Sequence, residues 1–371
     1  MSIYNADRAW LMLADGTVFE GRSFGATGTA IGEVVFTTGM TGCQETLTDP
    51  SYYGQIAVQT FPLIGNYGTN ADDIESDGIY MKGYIVREWC DSPSNFRAKE
   101  RIDLFLKRHN TIGLFDIDTR ALTRRLREQG VMNGVITTVP IESLDRDKVL
   151  AEIKQYAVIN ALDAVTTLSH KTYPAHGHRK YRVALLDFGY KRNIRESLRA
   201  RGCDVTVLPA RTGIAQLKDM RFDGVVLSNG PGDPKENVEV ICNLRDVVTM
   251  GLPVMGVCLG HQLMALAMGG KTAKMRYGHR GGNQPVVELA TGRTYVTTQN
   301  HGYEVLADSL DPAIARVSHI NANDKTCEGI AYLQAPVFTV QFHPEACAGP
   351  ADTAYLFDDF IAMIDKSKEG R

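Results

Sequence analysis

The segment Gly256-Val257-Cys258-Leu259-Gly260 places one cysteine between two glycines, where an apolar run over 253–257 gives way to a helix-like run over 259–267. Two readings fit the pentapeptide alone. One is a core cysteine beside packing glycines. The other is a nucleophile on a sharp strand-to-helix turn, where flanking side chains would collide with neighbouring elements. On the second reading the first N–H groups of the following helix favour a thiolate, and the Leu259 N–H faces a developing oxyanion. A cysteine nucleophile needs a base, and the base needs a group to orient it. Of the nine histidines, His343 has the best context. It ends the apolar run Val337-Phe338-Thr339-Val340-Gln341-Phe342, and Glu345 follows two residues later across the stiffening Pro344. Glu345 is then positioned to fix the tautomer of His343 and to stabilise its imidazolium. His261, three residues after Cys258, reads as a packing residue, and His301 as either a pocket residue or one that orders a turn. Ser228-Asn229-Gly230-Pro231-Gly232-Asp233-Pro234 is a rigid loop with backbone N–H groups to offer a carbonyl oxygen. It lacks the Lys-Ser/Thr of a phosphate loop.

These groups require elements that end at one edge. From Arg182 onward the pattern is regular: apolar runs at 183–186, 204–208, 224–227 and 253–257 alternate with helical stretches, one of which carries Ile194 and Leu198 and ends before Gly202. That alternation predicts a doubly wound α/β sheet, with ligands at the carboxyl ends of its strands. Cys258, the 228–234 loop and His343 all fall at such ends. Residues 1–155 mix strands and helices without that beat. Asp15-Gly16 between apolar runs predicts a hairpin, and 119–129 predicts a helix capped by Thr119, with Leu122 and Leu126 on one face and Gly130 after its end. The polar stretch 156–180, punctuated by Pro174 and Gly177, reads as a linker. Its three irregularly spaced histidines read as solvated, and no metal site is expected anywhere in the chain. The expected domains are therefore 1–155 and 181–371.

The totals bound the class. A chain of 371 residues with 44% hydrophobic and 22% charged residues is long enough for two globular domains. A formal charge of −3 gives no reason to expect binding to nucleic acid or an anionic membrane. No apolar run approaches the roughly 20 residues needed to span a bilayer, and the stretch MSIYNADRAWLML lacks the basic and apolar regions of a signal peptide. Seven scattered cysteines without a CxxC pair favour a reducing cytoplasm over a disulfide framework.

The order SNGPGDP, GVCLGHQ, QNHG, FHPE, over about 180–365, resembles the class I (triad) glutamine amidotransferases. In the first half, Gly32-Glu33-Val34-Val35-Phe36, Met40-Thr41-Gly42, Gln44-Glu45, Leu47-Thr48-Asp49-Pro50-Ser51-Tyr52, Gly65-Asn66-Tyr67-Gly68 and Asp116-Ile117-Asp118-Thr119-Arg120 are similar to the small subunit of carbamoyl phosphate synthetase. The resemblance covers nearly the whole chain. It implies a mixed α/β small-subunit domain followed by a doubly wound amidotransferase domain. It also implies that Cys258 attacks the carboxamide of glutamine through a thioester, that His343 and Glu345 complete the triad, and that Gly230 and Leu259 supply oxyanion N–H groups. Ser51, Gly232, Gln262, Asn300, Gly302 and Tyr303 match glutamine-binding positions, Tyr303 in place of a common phenylalanine. Cys347 stands where a small residue such as serine is usual. The chain has no ATP-binding signature, so the resemblance implies a large synthetase subunit that supplies ATP and divalent metal sites, receives the ammonia, and docks mainly on the N-terminal domain.

Three rivals make different demands. A free-standing cysteine amidase would be fully active alone. An inactive binding subunit would have lost Cys258, His343 or Glu345, and all three are present. A glutaminase of another synthetase, such as anthranilate or GMP synthetase, would lack the domain that carries Asp49-Pro50-Ser51-Tyr52. Whether the product serves arginine or pyrimidine synthesis is open at this level.

Overall fold

The computed structural model describes residues 6–369. The first five residues of the stretch read for a signal peptide, and the last two of the chain, lie outside them. The chain divides into two compact units, 1–159 and 160–371.

In the first unit seven strands close into a barrel. Its order around the circumference is Arg8–Leu13, Val18–Gly25, Ile112–Phe115, Gly83–Ile85, Gln55–Gln59, Thr29–Thr37 and Met132–Thr137. The predicted hairpin joins the first two strands, with Met12 opposite Val18 and Gly16 at φ +84° in the turn. One face of the strands supplies a core of Leu11, Leu13, Val34, Ile56, Ile85, Leu114 and Ile136. The helix Thr119–Gln129 packs Leu122 and Leu126 against this core and stops at Gly130, φ +96°. Its cap differs from expectation. Asp118, not Thr119, occupies the cap position, and its carboxylate accepts the Ala121 N–H at 2.9 Å. Either side chain can cap; the aspartate lies one residue earlier, where the backbone is not yet helical.

The stretch 156–180 is not all linker. Ala161–Val165 forms a short helix that buries Ala161, Leu162 and Val165, and Lys171–Tyr173 adds an antiparallel edge strand to Cys203–Pro209. The texture of Pro, Gly and polar residues hid elements this short. His170, His176 and His178 are exposed.

The second unit is built on a ten-stranded sheet. Its parallel part comprises Tyr181–Asp187, Cys203–Pro209, Gly224–Leu227, Val254–Val257 and Val337–Val340, laid out with the second strand outermost and then the first, third, fourth and fifth. Alternate residues feed two cores. Val183, Leu185, Val226 and Met255 pack with Ile194, Leu198, Phe357 and Phe360 of the helices on one face. Ala184, Leu186, Val225 and Val254 pack with Leu217, Leu244 and Leu263 on the other. Burial on both faces is why these strands read as unbroken apolar runs. Four antiparallel strands extend the sheet beyond Val337–Val340: Cys327–Tyr332, Thr294–Val305, Thr272–Glu288 and Ala315–Asn321. Ala315–Asn321 pairs both with Thr272–Glu288 and with Cys327–Tyr332, so this end of the sheet folds back on itself. No helix among the described residues is long and apolar enough to cross a membrane.

Candidate active site

Cys258 lies between the strand Val254–Val257 and the nine-residue helix Leu259–Ala267, with φ 53° and ψ −104°. A non-glycine residue at positive φ outside the helical basin is strained, and it persists only where its surroundings hold it there. The two glycines are part of that hold. A Cβ on Gly260 would stand 2.4 Å from the Leu227 carbonyl oxygen, and one on Gly256 would stand 2.7 Å from the Thr339 methyl and 3.1 Å from Gly260 itself. The Cys258 N–H donates to Val340 O at 2.9 Å and the Gly260 N–H to Ser228 O at 3.0 Å. These two bonds pin the turn to the strands on either side.

His343 follows the strand Val337–Val340, and its N–H donates to Thr298 O. Its Nδ1 stands 2.7 Å from Glu345 Oε1, and both side chains are fully buried. Nδ1 therefore carries a proton toward the carboxylate, and Nε2 is directed elsewhere; it has no hydrogen-bond partner among the described residues. No directed hydrogen bond joins Nε2 to the Cys258 thiol, yet the thiol is near enough to favour the protonated ring. Burial and the Lys191 ammonium oppose charge on His343. The Glu345 carboxylate and the Cys258 thiol outweigh them and raise its pKa to about 9. Burial likewise opposes charge on Glu345, and His343 and Lys191 overcome it, lowering its pKa to about 2. The thiol itself also donates to Asn300 O at 3.8 Å.

Lys191 escaped the sequence reading. Its ammonium is buried 3.3 Å from Glu345 Oε1, so the carboxylate is braced from two sides. The rule that found Cys258 and His343 could have found it, because it follows the parallel strand Tyr181–Asp187 at its carboxyl end. It stands where the strand order reverses, the usual place for a ligand in such a sheet. Asn229 holds this loop, accepting the Lys191 N–H at 3.0 Å and donating to Gly189 O at 3.0 Å, while Ser228 Oγ accepts the Phe188 N–H at 2.9 Å. Gly230 is a glycine because the Phe188 carbonyl oxygen lies only 2.0 Å from where a Cβ would be. Gly232 has φ +88°.

Asn300, Gly302 and Tyr303 lie on the strand Thr294–Val305. The Gln262 amide donates to Tyr303 O and to Gln341 Oε1, both at 2.9 Å, so its nitrogen is already committed within the protein. His301 Nδ1 lies 2.8 Å from the same Tyr303 carbonyl. His261 is fully buried with Nδ1 against Thr339 Oγ1, and burial lowers its pKa to about 3. That ring is neutral and packed. Cys347 is exposed and accepts from Asn193 Nδ2. Ser51 belongs to the first unit. It is buried in the short 3-10 helix Pro50–Tyr52, with its N–H donating to Asp49 Oδ1 at 2.9 Å.

Comparison with known proteins agrees with this layout. Residues 11–136 match the model of the carbamoyl-phosphate synthase small chain, CPSase domain, and residues 184–363 match glutamine amidotransferase class-I. A carbamoyl phosphate synthase small chain from Fusobacterium nucleatum is 50% identical over 363 residues, covering 96% of this chain and 98% of that one. Its counterpart from Symbiobacterium thermophilum is 48% identical over 360 residues, with 96% and 98% covered. With that likeness over both units, the chain belongs to the family of carbamoyl phosphate synthase small chains, its second unit being a class I glutamine amidotransferase domain.

Proposed function

We propose that this chain is the glutamine-hydrolysing subunit of a carbamoyl phosphate synthetase. The observation that carries the reading is the buried His343–Glu345 pair beside a cysteine held in a strained strand-to-helix turn. Glu345 makes His343 a stronger base than a free imidazole, against the opposing Lys191 ammonium. The proton of the Cys258 thiol is held on His343 Nε2 as Sγ attacks the carboxamide carbon of glutamine. The tetrahedral oxyanion is met by the N–H groups of Leu259 and Gly230; the Gly260 N–H is already bonded to Ser228 O. The C–N bond then breaks, and His343 delivers its proton to the departing ammonia. Water, deprotonated by the same ring, attacks the thioester and releases glutamate and the free thiol. Removing one oxyanion donor from such a site typically costs about 10²–10³ in rate. Gly232, Gln262, Asn300, Gly302 and Tyr303 form the glutamine subsite in this reading. Because the Gln262 nitrogen is occupied, it would meet substrate through its oxygen or after exchanging partners.

The ammonia passes to a large synthetase subunit in the cytoplasm. That subunit holds the ATP and divalent metal and makes carbamoyl phosphate from bicarbonate. The chain itself needs no cofactor. Cys258→Ser should abolish glutamine-dependent carbamoyl phosphate formation by the complex while added ammonia still supports it. Both rates are measured on one preparation. Loss of the ammonia-dependent rate as well, in a complex that still assembles, would refute this division of labour.

A further inference from the structure

The loop that delivers Lys191 to the catalytic pair leaves the strand Tyr181–Asp187 and runs through Phe188, Gly189 and Tyr190. Side chains take all four of its backbone N–H groups. Phe188 N–H donates to Ser228 Oγ, Gly189 and Tyr190 N–H both donate to Asp187 Oδ1 at 2.9 Å, and Lys191 N–H donates to Asn229 Oδ1. Asp187 is itself buried, only 3% exposed. Its second oxygen accepts the Thr167 N–H at 2.7 Å. Its carbonyl accepts the Thr166 hydroxyl at 2.6 Å, and that hydroxyl accepts the Ala210 N–H at 2.9 Å. One residue thus ties the loop before Lys191 to the stretch that follows the helix Ala161–Val165.

A buried carboxylate is a costly way to close a turn. Asparagine or serine closes many turns without a charge. Burial disfavours the ionised form of Asp187 and raises its pKa, although the Tyr190, Gly189 and Thr167 N–H groups oppose the rise. Those donors converge on two different oxygens, and an ionised carboxylate offers an acceptor at both, which an amide does not. Gly189, at φ +111°, gives the loop a freedom that these bonds remove. What the loop carries explains the need. The Lys191 ammonium stands 3.3 Å from Glu345 Oε1, on a side chain only 8% exposed. A lysine has a long flexible stem and a strongly hydrated head, so the placement of its backbone decides whether it stays inside. Withdrawn, it would no longer hold Glu345, and its charge would no longer restrain the rise in the His343 pKa. A ring raised too far keeps the proton it must deliver to ammonia.

We propose that Asp187 is a positioning residue: its carboxylate fixes the loop 188–191 and thereby holds the Lys191 ammonium against Glu345. The effect on glutamine hydrolysis rests on the function proposed above; the placement of Lys191 does not.

Two measurements separate these claims. The first is steady-state glutamine hydrolysis in the complex with the large subunit, as a double-mutant cycle. Asp187→Asn keeps the shape but turns an amide N–H toward a backbone N–H. It should lower kcat about tenfold, less than the roughly 10²-fold that a 1 Å misplacement can cost, with KM for glutamine little changed. In a Lys191→Met background the same substitution should cost less than about twofold, because its effect runs through Lys191. An equal loss in both backgrounds, a KM that rises in step, or no loss in Asp187→Asn would overturn the proposal. Gly189→Ala strains the same loop without touching the carboxylate, so it should repeat both results even if Asp187→Asn does not fold; an unchanged kcat in folded Gly189→Ala would count against the proposal. The second measurement is the proton NMR signal of His343 Nδ1–H in the full-length chain, assigned by its loss in His343→Asn. Asp187→Asn and Lys191→Met should move it in the same direction, and a signal unmoved in Asp187→Asn would refute the placement. Should wild type fail to hydrolyse glutamine at all, the functional reading falls, and the NMR signal still decides whether Asp187 places Lys191.

Discussion

His343 and His261 are both buried, both near Cys258 in sequence or space, and opposite in electrostatic character. A carboxylate faces the first ring and a hydroxyl faces the second. His343→Asn should therefore cut glutamine turnover by about 10²–10⁴, the range for loss of a general acid–base. His261→Asn should cost far less turnover and about 1 kcal/mol of stability, the worth of one buried hydrogen bond. Steady-state rates and urea midpoints of the two variants decide it, and a larger turnover loss at 261 would reverse the assignment. Cys258, His343 and Glu345 were legible because an apolar run before each motif marks a strand's carboxyl end. Lys191 satisfied the same rule but carried no second cue, since a lysine after a strand is commonplace. Asp187 was not legible either. A carboxylate after a strand is equally commonplace, and its partner Thr167 lies in the stretch that read as linker.

At the scale of elements, the turn at Cys258 is a steric construction. Alanine is favoured over glycine inside a helix by up to about 1 kcal/mol. At position 260 the gain is reversed, because the new Cβ would strike the Leu227 carbonyl, which belongs to a central strand and cannot give way. Overpacking of this kind costs about 1–3 kcal/mol. Gly260→Ala should therefore destabilise the chain in urea and, by shifting the first turn of the helix, re-aim Cys258 and depress glutamine hydrolysis more than its loss of stability explains. Unchanged hydrolysis in the folded variant would mean the turn tolerates displacement. The parallel strands were readable because burial on both faces leaves continuous apolar runs. The barrel of the first unit was not, because closure depends on which strands meet. Its Gly113, for example, lies so close to the Phe24 carbonyl oxygen that a Cβ would stand 1.8 Å from it. Such an approach leaves no period in the sequence. The helix and edge strand within 156–180 were missed for a simpler reason, being five and three residues long.

For the molecule as a whole, the buried pair at the active site predicts how stability follows pH. Glu345 has its pKa lowered to about 2, so its ionised form stabilises the fold above the ordinary value of 4.5, and that contribution is lost as pH falls toward 2. His343 has its pKa raised to about 9, so its protonated form stabilises the fold below 6.5, and that contribution is lost as pH rises through 9. Thermal midpoints of the chain should peak between these limbs and decline on both sides, and His343→Asn should flatten the alkaline decline. An alkaline limb identical in the variant would show that other groups set it.

The way the sheets end bears on a hazard that active-site chemistry does not touch. A strand with unpaired N–H and C=O groups is a template on which another chain can crystallise into aggregates. The seven-stranded barrel presents no such strand, and the far end of the ten-stranded sheet folds Ala315–Asn321 back onto Cys327–Tyr332. At its other end the large sheet stops at Lys171–Tyr173, three residues long, with a lysine at its start and two exposed positions. The barrel and the ten-stranded sheet are thereby left with little open edge to which copies of the chain could adhere.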